Sequence, residues 1–323
     1  MMRAVRVTSL DGPDAVEIGE VPEPVPGDGR VIVEVHAAGA AFPDVLLTRG
    51  EYQIRMEPPF TPGAEVSGIV RHAPEGAPVR VGERVAAFPG TGGFAEQVAV
   101  DPRLVFGVPD RVPLEAAAAL PLNYLTVHFA LTRRGGLREG ETVLVHGAAG
   151  GIGTAAVQLA RVMGARVIAV VSSAAKGEVA RKAGAHEVVL AEGFKDAVKE
   201  LTSGRGVDMV VDPVGGDRFT DSLRSLAREG RLLVIGFAAG QIPTVKVNRL
   251  LLNNTAVIGV GWPELWLHEM DYVQRQWADL RPHLESGAID PVLGPSFPLE
   301  DAAEALRVLD RRQATGKVLL KVR

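Results

Sequence analysis

A chain of 323 residues with 46% apolar and 23% charged side chains has ample material for two folded domains. Its net charge of −4 gives no electrostatic case for nucleic acid or an anionic membrane, and no apolar run approaches the ~20 residues of a membrane span. The absence of cysteine removes disulfides, a thiolate nucleophile, thiolate-ligated zinc and cysteine-bound iron–sulfur clusters. The 7 histidines are scattered with no His-x-x-x-His pair, so no metal site is expected. The first residues lack an apolar leader and read as strand and turn, which makes the cytoplasm the expected compartment.

Residues 1–118 read as loop-rich and all-β. Short strands are expected at Ala4–Val7, Val31–His36, Val66–Arg71, Arg84–Phe88 and Ala95–Val100. Pro22, Pro24, Pro26, Gly27 and Gly29 punctuate the first two, and Pro58, Pro59, Pro62 and Gly63 precede the third. This pattern resembles a closed barrel more than a parallel sheet. A short helix, Ala41–Arg49, interrupts it and ends at Gly50. Over Pro113–Leu131 a helical stripe of Leu114, Ala118, Leu122 and Leu125, broken around Pro121, predicts a helix that crosses into the second domain. The expected division is 1–118 with 263–323, and 119–262.

Thr142–His146 is a β-branched and aliphatic run that reads as a strand buried on both faces. Glycines follow at 147, 150, 151 and 153, and Ile152, Ala156, Leu159 and Met163 then recur at helical spacing. Gly164 closes that helix as a left-handed cap, and Ala165–Val171 is a second buried strand. Strand, glycine turn, helix and strand within about 30 residues form the unit a dinucleotide site requires. The glycines let backbone approach a pyrophosphate, and Gly150, Gly151, Ile152 and Gly153 present N–H groups at the positive end of the helix dipole. Ala148 stands where a strict G-x-G-x-x-G has its first glycine. A flexible turn is the plainer alternative.

After the second strand come Ser172, Ser173, Ala174, Ala175 and Lys176, with no carboxylate before Glu178. An NAD site places Asp or Glu here for the ribose 2′-hydroxyl, whereas two hydroxyls and an ammonium suit a 2′-phosphate. The expected cofactor is therefore NADPH. Ser173 as a helix cap and Lys176 as a solvated side chain are the alternative, and both readings can hold together.

Strand and helix go on alternating. Strands are expected at Glu187–Leu190, Val207–Val211, Arg231–Ile235 and Ala256–Val260, with helices at Ala174–Ala183, Phe194–Thr202, Asp217–Leu226 and Val247–Leu252. Such βα units form a parallel sheet covered on both faces, with ligands beyond the carboxyl ends of its strands. That places Asp212–Gly216, Gly236–Phe237 and Gly261–Trp262 around the cofactor. The last strand, Thr255–Val260, is an apolar edge, and a homodimer through it is expected. Leu265–Glu285 reads as one long amphipathic helix marked by Trp266, Met270, Val273, Trp277 and Leu280. Pro291–Phe297 and Lys317–Val322 are strands around a helix at Glu300–Leu309, and these pieces are expected to return to the first domain.

Six stretches together resemble the medium-chain dehydrogenase/reductases in their zinc-free quinone oxidoreductase (ζ-crystallin-like) branch. They are AAFPDVLLTRGEY (40–52), PGAEVSGIV (62–70), LPLNYLTVHFAL (120–131), VHGAAGGIGTAAVQLAR (145–161), NRLLLNNTAVIGV (248–260) and TGKVLLKV (315–322). The resemblance implies an α/β chain: a GroES-like β-barrel catalytic domain plus a Rossmann domain with a doubly wound parallel sheet, and an active site in the cleft between them. Zinc-dependent relatives carry Gly-His-Glu where this chain has Gly63-Ala64-Glu65, so a zinc ligand is missing. The Tyr-x-x-x-Lys of short-chain dehydrogenases is absent too, since Tyr52, Tyr124 and Tyr272 are followed four residues on by Met56, His128 and Gln276. The chain departs from the branch at Ala41, where Asn is common, at Leu46, often Tyr, and at Ala191, where a tyrosine often flanks the 2′-phosphate.

Without a metal, a hydride from nicotinamide needs an acceptor that is already activated, a quinone or an alkene conjugated to a carbonyl. The resemblance assigns Thr126 to the nicotinamide end, and Phe237, Val260, Gly261, Trp262 and Lys317 to the remaining length of the cofactor. Tyr52 is the candidate proton donor near the substrate carbonyl, with a barrel-loop aromatic in water as the alternative. Asp44 is either an active-site acid or a helix-start carboxylate, and Asn123 either faces the cofactor or caps the crossing helix. His128, His146, Trp266 and Trp277 read as packing residues. The expected activity is NADPH-dependent quinone or enone reduction. Enoyl-thioester reduction and a low-turnover NADPH-binding sensor or structural protein are the alternatives.

Overall fold

The computed structural model describes all 323 residues. They separate into two compact units, Met1–Asn123 with Trp266–Arg323, and Tyr124–Leu265. In chain order the first unit begins with β1 (Met2–Val7), β2 (Val16–Val21), β3 (Val31–Ala40), α1 (Phe42–Thr48), β4 (Glu65–His72), β5 (Arg84–Ala87), β6 (Gln97–Val100), β7 (Val105–Gly107) and α2 (Leu114–Ala117). Helix α3 (Pro121–Phe129) leads into the second unit and finishes in a π turn, Ala130–Arg134. The second unit then runs β8 (Thr142–His146), α4 (Gly151–Val162), β9 (Arg166–Val171), α5 (Ala174–Ala183), β10 (Glu187–Leu190), α6 (Phe194–Leu201), β11 (Val207–Asp212), α7 (Phe219–Arg224), β12 (Leu226–Val234), α8 (Asn248–Asn253) and β13 (Ala256–Gly259). Helix α9 (Trp262–Trp266) precedes α10 (Met270–Ser286), β14 (Leu293–Pro298), α11 (Ala302–Asp310) and β15 (Lys317–Lys321).

The first unit is built on a seven-stranded sheet in the order β14-β15-β3-β4-β5-β7, with β6 also pairing β3. Strand β3 is its spine. It pairs antiparallel with β15, β4 and β6, which is why its alternating apolar and small residues are buried almost throughout. The hairpin β1–β2 is fastened by Val5 N–H to the Phe94 carbonyl and Val7 N–H to the Phe60 carbonyl, both at 2.8 Å. The last two strands return to this unit as their loss of βα rhythm predicts, with β15 alongside β3. Gly68 on β4 is required by contact, because a Cβ there would lie 1.9 Å from the Glu34 carbonyl oxygen.

The second unit is a parallel six-stranded sheet in the order β10-β9-β8-β11-β12-β13. The chain starts near the middle at β8 and winds outward in both directions, so the sequence order reverses there. All five residues of β8 are buried, as their apolar character on both faces demands. No helix of either unit is long and apolar enough to cross a membrane.

Several boundaries differ from the sequence reading. Strands β2 and β7 were not expected; the first alternates weakly and the second has only 3 residues. The helix expected at Asp217–Leu226 stops at Arg224, because Leu226 pairs with Val207 and opens β12. That strand is bulged before Arg231, and Glu229 adopts φ 61°. The single helix expected over Leu265–Glu285 is two, α9 and α10, separated at 267–269. Trp266 turns edge-on to Phe88 at 5.6 Å, and the apolar spacing resumes at Met270 across the break, so periodicity alone hides it.

Arg231 fastens the lower end of the parallel sheet. Its half-buried guanidinium bonds the Gly135, Gly136 and Asp208 carbonyls and forms a two-pronged pair with Glu141. Arg231→Ala leaves three carbonyls and a carboxylate short of donors and is expected to cost about 3 kcal/mol. Urea unfolding of the variant against the parent measures this, and a loss below about 1 kcal/mol would contradict it.

Candidate functional site

The turn from β8 into α4 carries the features of an anion cradle. Gly147 sits at φ 57°, a left-handed conformation natural to glycine. A Cβ on Gly153 would lie 2.1 Å from the Gly147 carbonyl oxygen, so only glycine lets the helix start this close to the turn. Ala148 departs from the strict motif without a left-handed backbone, and its methyl is fully buried. Gly150 is the helix cap and offers no side chain. The first-turn N–H groups of Gly151, Ile152 and Gly153 therefore receive no capping side-chain acceptor, the condition that favours a bound anion.

The expected cofactor residues from Ser172 to Trp262 follow the carboxyl ends of parallel strands, and so gather along the same edge of the sheet. Ser172 and Ser173 follow β9; both are exposed, and the Ser173 hydroxyl caps α5 by accepting the Lys176 N–H at 3.3 Å. Lys176 is half-buried on the first turn of α5. Gly236 and Phe237 follow β12, and the Phe237 ring lies so close to Gly215 that a Cβ there would meet it at 2.9 Å. Val260, Gly261 and Trp262 follow β13; the Trp262 side chain is fully buried, which leaves only its backbone to face a ligand. Asp212 shapes the intervening turn by accepting the Val214 and Gly215 N–H groups at 2.8 and 2.9 Å. No carboxylate stands between the end of β9 and Glu178.

Beneath this edge, His146 is a packing residue. Its Nε2 is 2.8 Å from the Ser222 hydroxyl and its ring meets Phe194 edge-on at 4.9 Å. Burial pushes its pKa down to about 4 against the pull of the Asp212 carboxylate, so the imidazole is neutral at physiological pH. Asn123 and Thr126 are both buried and stand one turn apart on α3. The Tyr124 hydroxyl fixes this helix to α4 through Gln158 at 2.7 Å.

In the first unit the structure gathers a group of charges that only the fold reveals. Glu65 on β4 and Lys317 on β15 form an ion pair, with side chains 0% and 3% exposed. The other Glu65 oxygen accepts the Leu122 N–H at 2.8 Å. Burial pushes the Glu65 carboxyl up, and the adjacent ammonium opposes that shift. The Lys317 ammonium thus has a buried structural partner, a role its place in the sequence does not disclose. Asp44, also fully buried, accepts the Ala41 N–H at 2.8 Å and the Gly63 N–H at 3.1 Å. It is a helix-start carboxylate that also grips the segment ahead of β4. The half-capping pattern of Asp three residues after Ala41 signals the first bond, but nothing local signals the second. The Tyr52 ring, half-buried, packs with Val7, Leu47 and Phe60, and burial together with the Asp44 charge pushes its pKa up.

Burial raises the Asp44 pKa to about 6, against the two N–H bonds and the Lys317 charge that lower it. A carboxyl whose pKa is higher folded than unfolded contributes stability that is complete below the unfolded value and lost as pH rises through the folded one. The parent is therefore expected to gain about 2 kcal/mol relative to Asp44→Asn as pH falls from 7 to 4. Chemical denaturation of both proteins at the two pH values reads this difference, and a constant offset would refute it.

The comparisons with known proteins agree with this architecture. Residues 27–110 match the alcohol dehydrogenase GroES-like domain, and residues 151–278 match the zinc-binding dehydrogenase family. The chain is 40% identical over 326 residues to quinone oxidoreductase-like protein 2 of Bos taurus, covering 99% of this chain and 93% of that protein. Its fold superposes with a TM-score of 0.91 on a probable oxidoreductase from Mycobacterium abscessus, at 47% identity and 99% and 98% coverage of the two chains. With the quinone oxidoreductase of Thermus thermophilus, solved also in complex with NADPH, the TM-score is 0.87 at 39% identity, covering 99% of this chain and 100% of that one. A GroES-like unit, a parallel dinucleotide-type sheet and relatives matched along their whole length lead to one assignment: the chain belongs to the quinone oxidoreductase family of the medium-chain dehydrogenase/reductases.

Proposed function

We propose that the protein is an NADPH-dependent reductase of quinones or α,β-unsaturated carbonyl compounds that works by direct hydride transfer without a metal. The observation that carries this reading is the glycine-capped start of α4 beside a β9 terminus bearing Ser172, Ser173 and Lys176 and no carboxylate. Its N–H groups suit the pyrophosphate, and the two hydroxyls and the ammonium suit a 2′-phosphate. The Thermus thermophilus relative, solved with NADPH, supports the same cofactor. We assign the remaining contacts to Asn123, Thr126, Gly236, Phe237, Val260, Gly261 and Trp262. Ala64 stands where zinc-dependent relatives carry a histidine and the chain has no cysteine, which supports chemistry in which the acceptor is already activated.

Bound at this edge, the nicotinamide would supply the hydride. The protein then has to orient the acceptor and stabilise the charge that grows on its oxygen. Tyr52 is suited to the second task, because burial and the Asp44 charge both oppose phenolate formation and keep its hydroxyl protonated. Asp44, whose charge acts on that tyrosine, holds the backbone of Ala41 and Gly63, and the Glu65–Lys317 pair holds that of Leu122. Ala41 and Leu46 contribute no polar group here, so the acceptor is recognised by shape and by few hydrogen bonds.

The exposed edge of β13 supports a homodimer. Leu251 and Leu252, just before it on α8, are each 76% exposed, more apolar surface than a lone helix ordinarily leaves in water.

Fluorescence titration should show NADPH binding at least tenfold more tightly than NADH, with the preference shrinking in Lys176→Ala; equal affinities would remove the cofactor assignment. A panel of 1,4-benzoquinone, 9,10-phenanthrenequinone and crotonyl-CoA, followed by NADPH absorbance, tests the reaction. Turnover of either quinone is expected; turnover of crotonyl-CoA alone would make the protein an enoyl-thioester reductase, and binding without any turnover a sensor. Light scattering should give twice the mass of one chain, and a single-chain mass counts against the dimer.

A further inference from the structure

Two buried side-chain polar atoms have no hydrogen-bond partner, Nδ1 of His146 and Nε1 of Trp266. The first is an acceptor. The Ser222 hydroxyl gives its proton to the Arg218 carbonyl at 3.0 Å and so receives that of His146 Nε2, which leaves Nδ1 bare inside the second unit. The second is a donor, since an indole N–H donates and never accepts. A donor buried without an acceptor costs more than an average hydrogen bond returns, so the fold holds it there only if something completes it. Trp277 shows the ordinary solution, because its N–H reaches the Gly107 carbonyl at 3.2 Å.

Trp266 ends α9, and residues 267–269 after it are exposed. Its ring stands edge-on to Phe88, with the centroids 5.6 Å apart. Strands β4 and β5 pair Val66 with Ala87, and carrying that register one residue on sets Phe88 opposite Glu65. The chain beyond Phe88 keeps the same neighbour, because the Gly90 N–H donates to the Ala64 carbonyl at 3.3 Å. One aromatic ring thus separates Trp266 from the segment Gly63–Glu65. The polar groups gathered at that segment are committed. The Asp44 and Glu65 carboxylates only accept and are occupied, the Lys317 ammonium is paired with Glu65, and Ala64 brings a methyl. The Trp266 N–H is an uncommitted donor beside them.

We propose that the Trp266 N–H donates a hydrogen bond to the carbonyl oxygen of the acceptor molecule. The proposal rests on the reductase reading above and adds a residue that recognises its substrate. The indole is partly exposed while its nitrogen is sealed, so an acceptor entering beside Phe88 meets the N–H after a small turn of the ring about that edge contact. Hydride from the nicotinamide then reduces the acceptor, the electron pair gathers on its oxygen, and solvent supplies the proton that completes the hydroxyl. The indole keeps its own proton, and its bond strengthens as that charge grows. The cost carried by the free protein is returned on binding, a common exchange of stability for recognition.

Trp266→Phe keeps an aromatic ring against Phe88 and deletes the donor. With it, kcat/KM for 9,10-phenanthrenequinone should fall about tenfold while the NADPH dissociation constant stays within about twofold of the parent's. The urea midpoint should not fall, because no hydrogen bond of the free protein is lost. Nitrogen-labelled protein gives a second readout. Its Trp266 indole signal, identified by disappearance in the variant, should move downfield when the quinone is added with NADP+, a pair that cannot react. The Trp277 signal, whose proton is already bonded, should stay. Unchanged kcat/KM in Trp266→Phe, or a Trp266 signal indifferent to the quinone, overturns the proposal, and turnover by the parent then leaves the reductase reading standing. A variant that loses stability together with activity is decided by the indole signal. A parent that turns over no acceptor removes the reductase reading and the role of Trp266 together.

Discussion

The approach of α4 to the turn before it constrains the second unit more than any other contact. The 2.1 Å separation that a Cβ on Gly153 would have from the Gly147 oxygen means that the helix begins almost in contact with the preceding loop. Gly150 at the cap brings no side chain to this start, so the first-turn amides stay available. The helix follows directly on β8, and between β8 and β11 the strand order reverses, the place where a parallel sheet leaves a crevice for a ligand. The turns after β9, β12 and β13 are arranged around the same edge because parallel strands end on the same side. The phosphate site proposed here rests on geometry that the glycines enforce.

The second unit was more legible than the first for a related reason. Buried parallel strands are nearly pure aliphatic runs closed by glycine, and β8, β10 and α5 stand at the boundaries read from sequence. Reading weakened where tertiary contacts decide the ends. Leu226 is strand because Val207 lies beside it, and the residues between α9 and α10 break the helix while the apolar period runs on through them. In the first unit β7 is defined by its pairing with β5, since 3 residues carry no period of their own.

The candidate site divides in the same way. Ser173 and Lys176 were visible because a helix start and the end of a strand are local events, and the structure shows the serine capping while its neighbours stay exposed. The pairing of Glu65 with Lys317 was not, because 252 residues separate them and neither flank carries a motif that names the other. Asp44 showed only its local half, the bond to Ala41; its bond to Gly63 depends on where the segment before β4 is folded. Pattern reports what lies within a helical turn or a strand repeat, and charges that meet across the fold remain silent.

Those silent charges show what the first unit gains from burying them. Replacing a buried ion pair with well-packed apolar residues is often neutral or stabilising, so Glu65 and Lys317 are a weak route to stability alone. Their bonds, however, run to particular pieces of backbone. Glu65 holds the start of α3 through Leu122, and Lys317 ties β15 to β4. Asp44 holds the start of α1 to the segment ahead of β4, next to the cluster where Tyr52 packs. An apolar core could fill the same volume, but it would not fix the direction of those N–H groups. The charges are best understood as orienting devices, and the raised pKa of Asp44 is the energetic consequence of placing one where water cannot reach it.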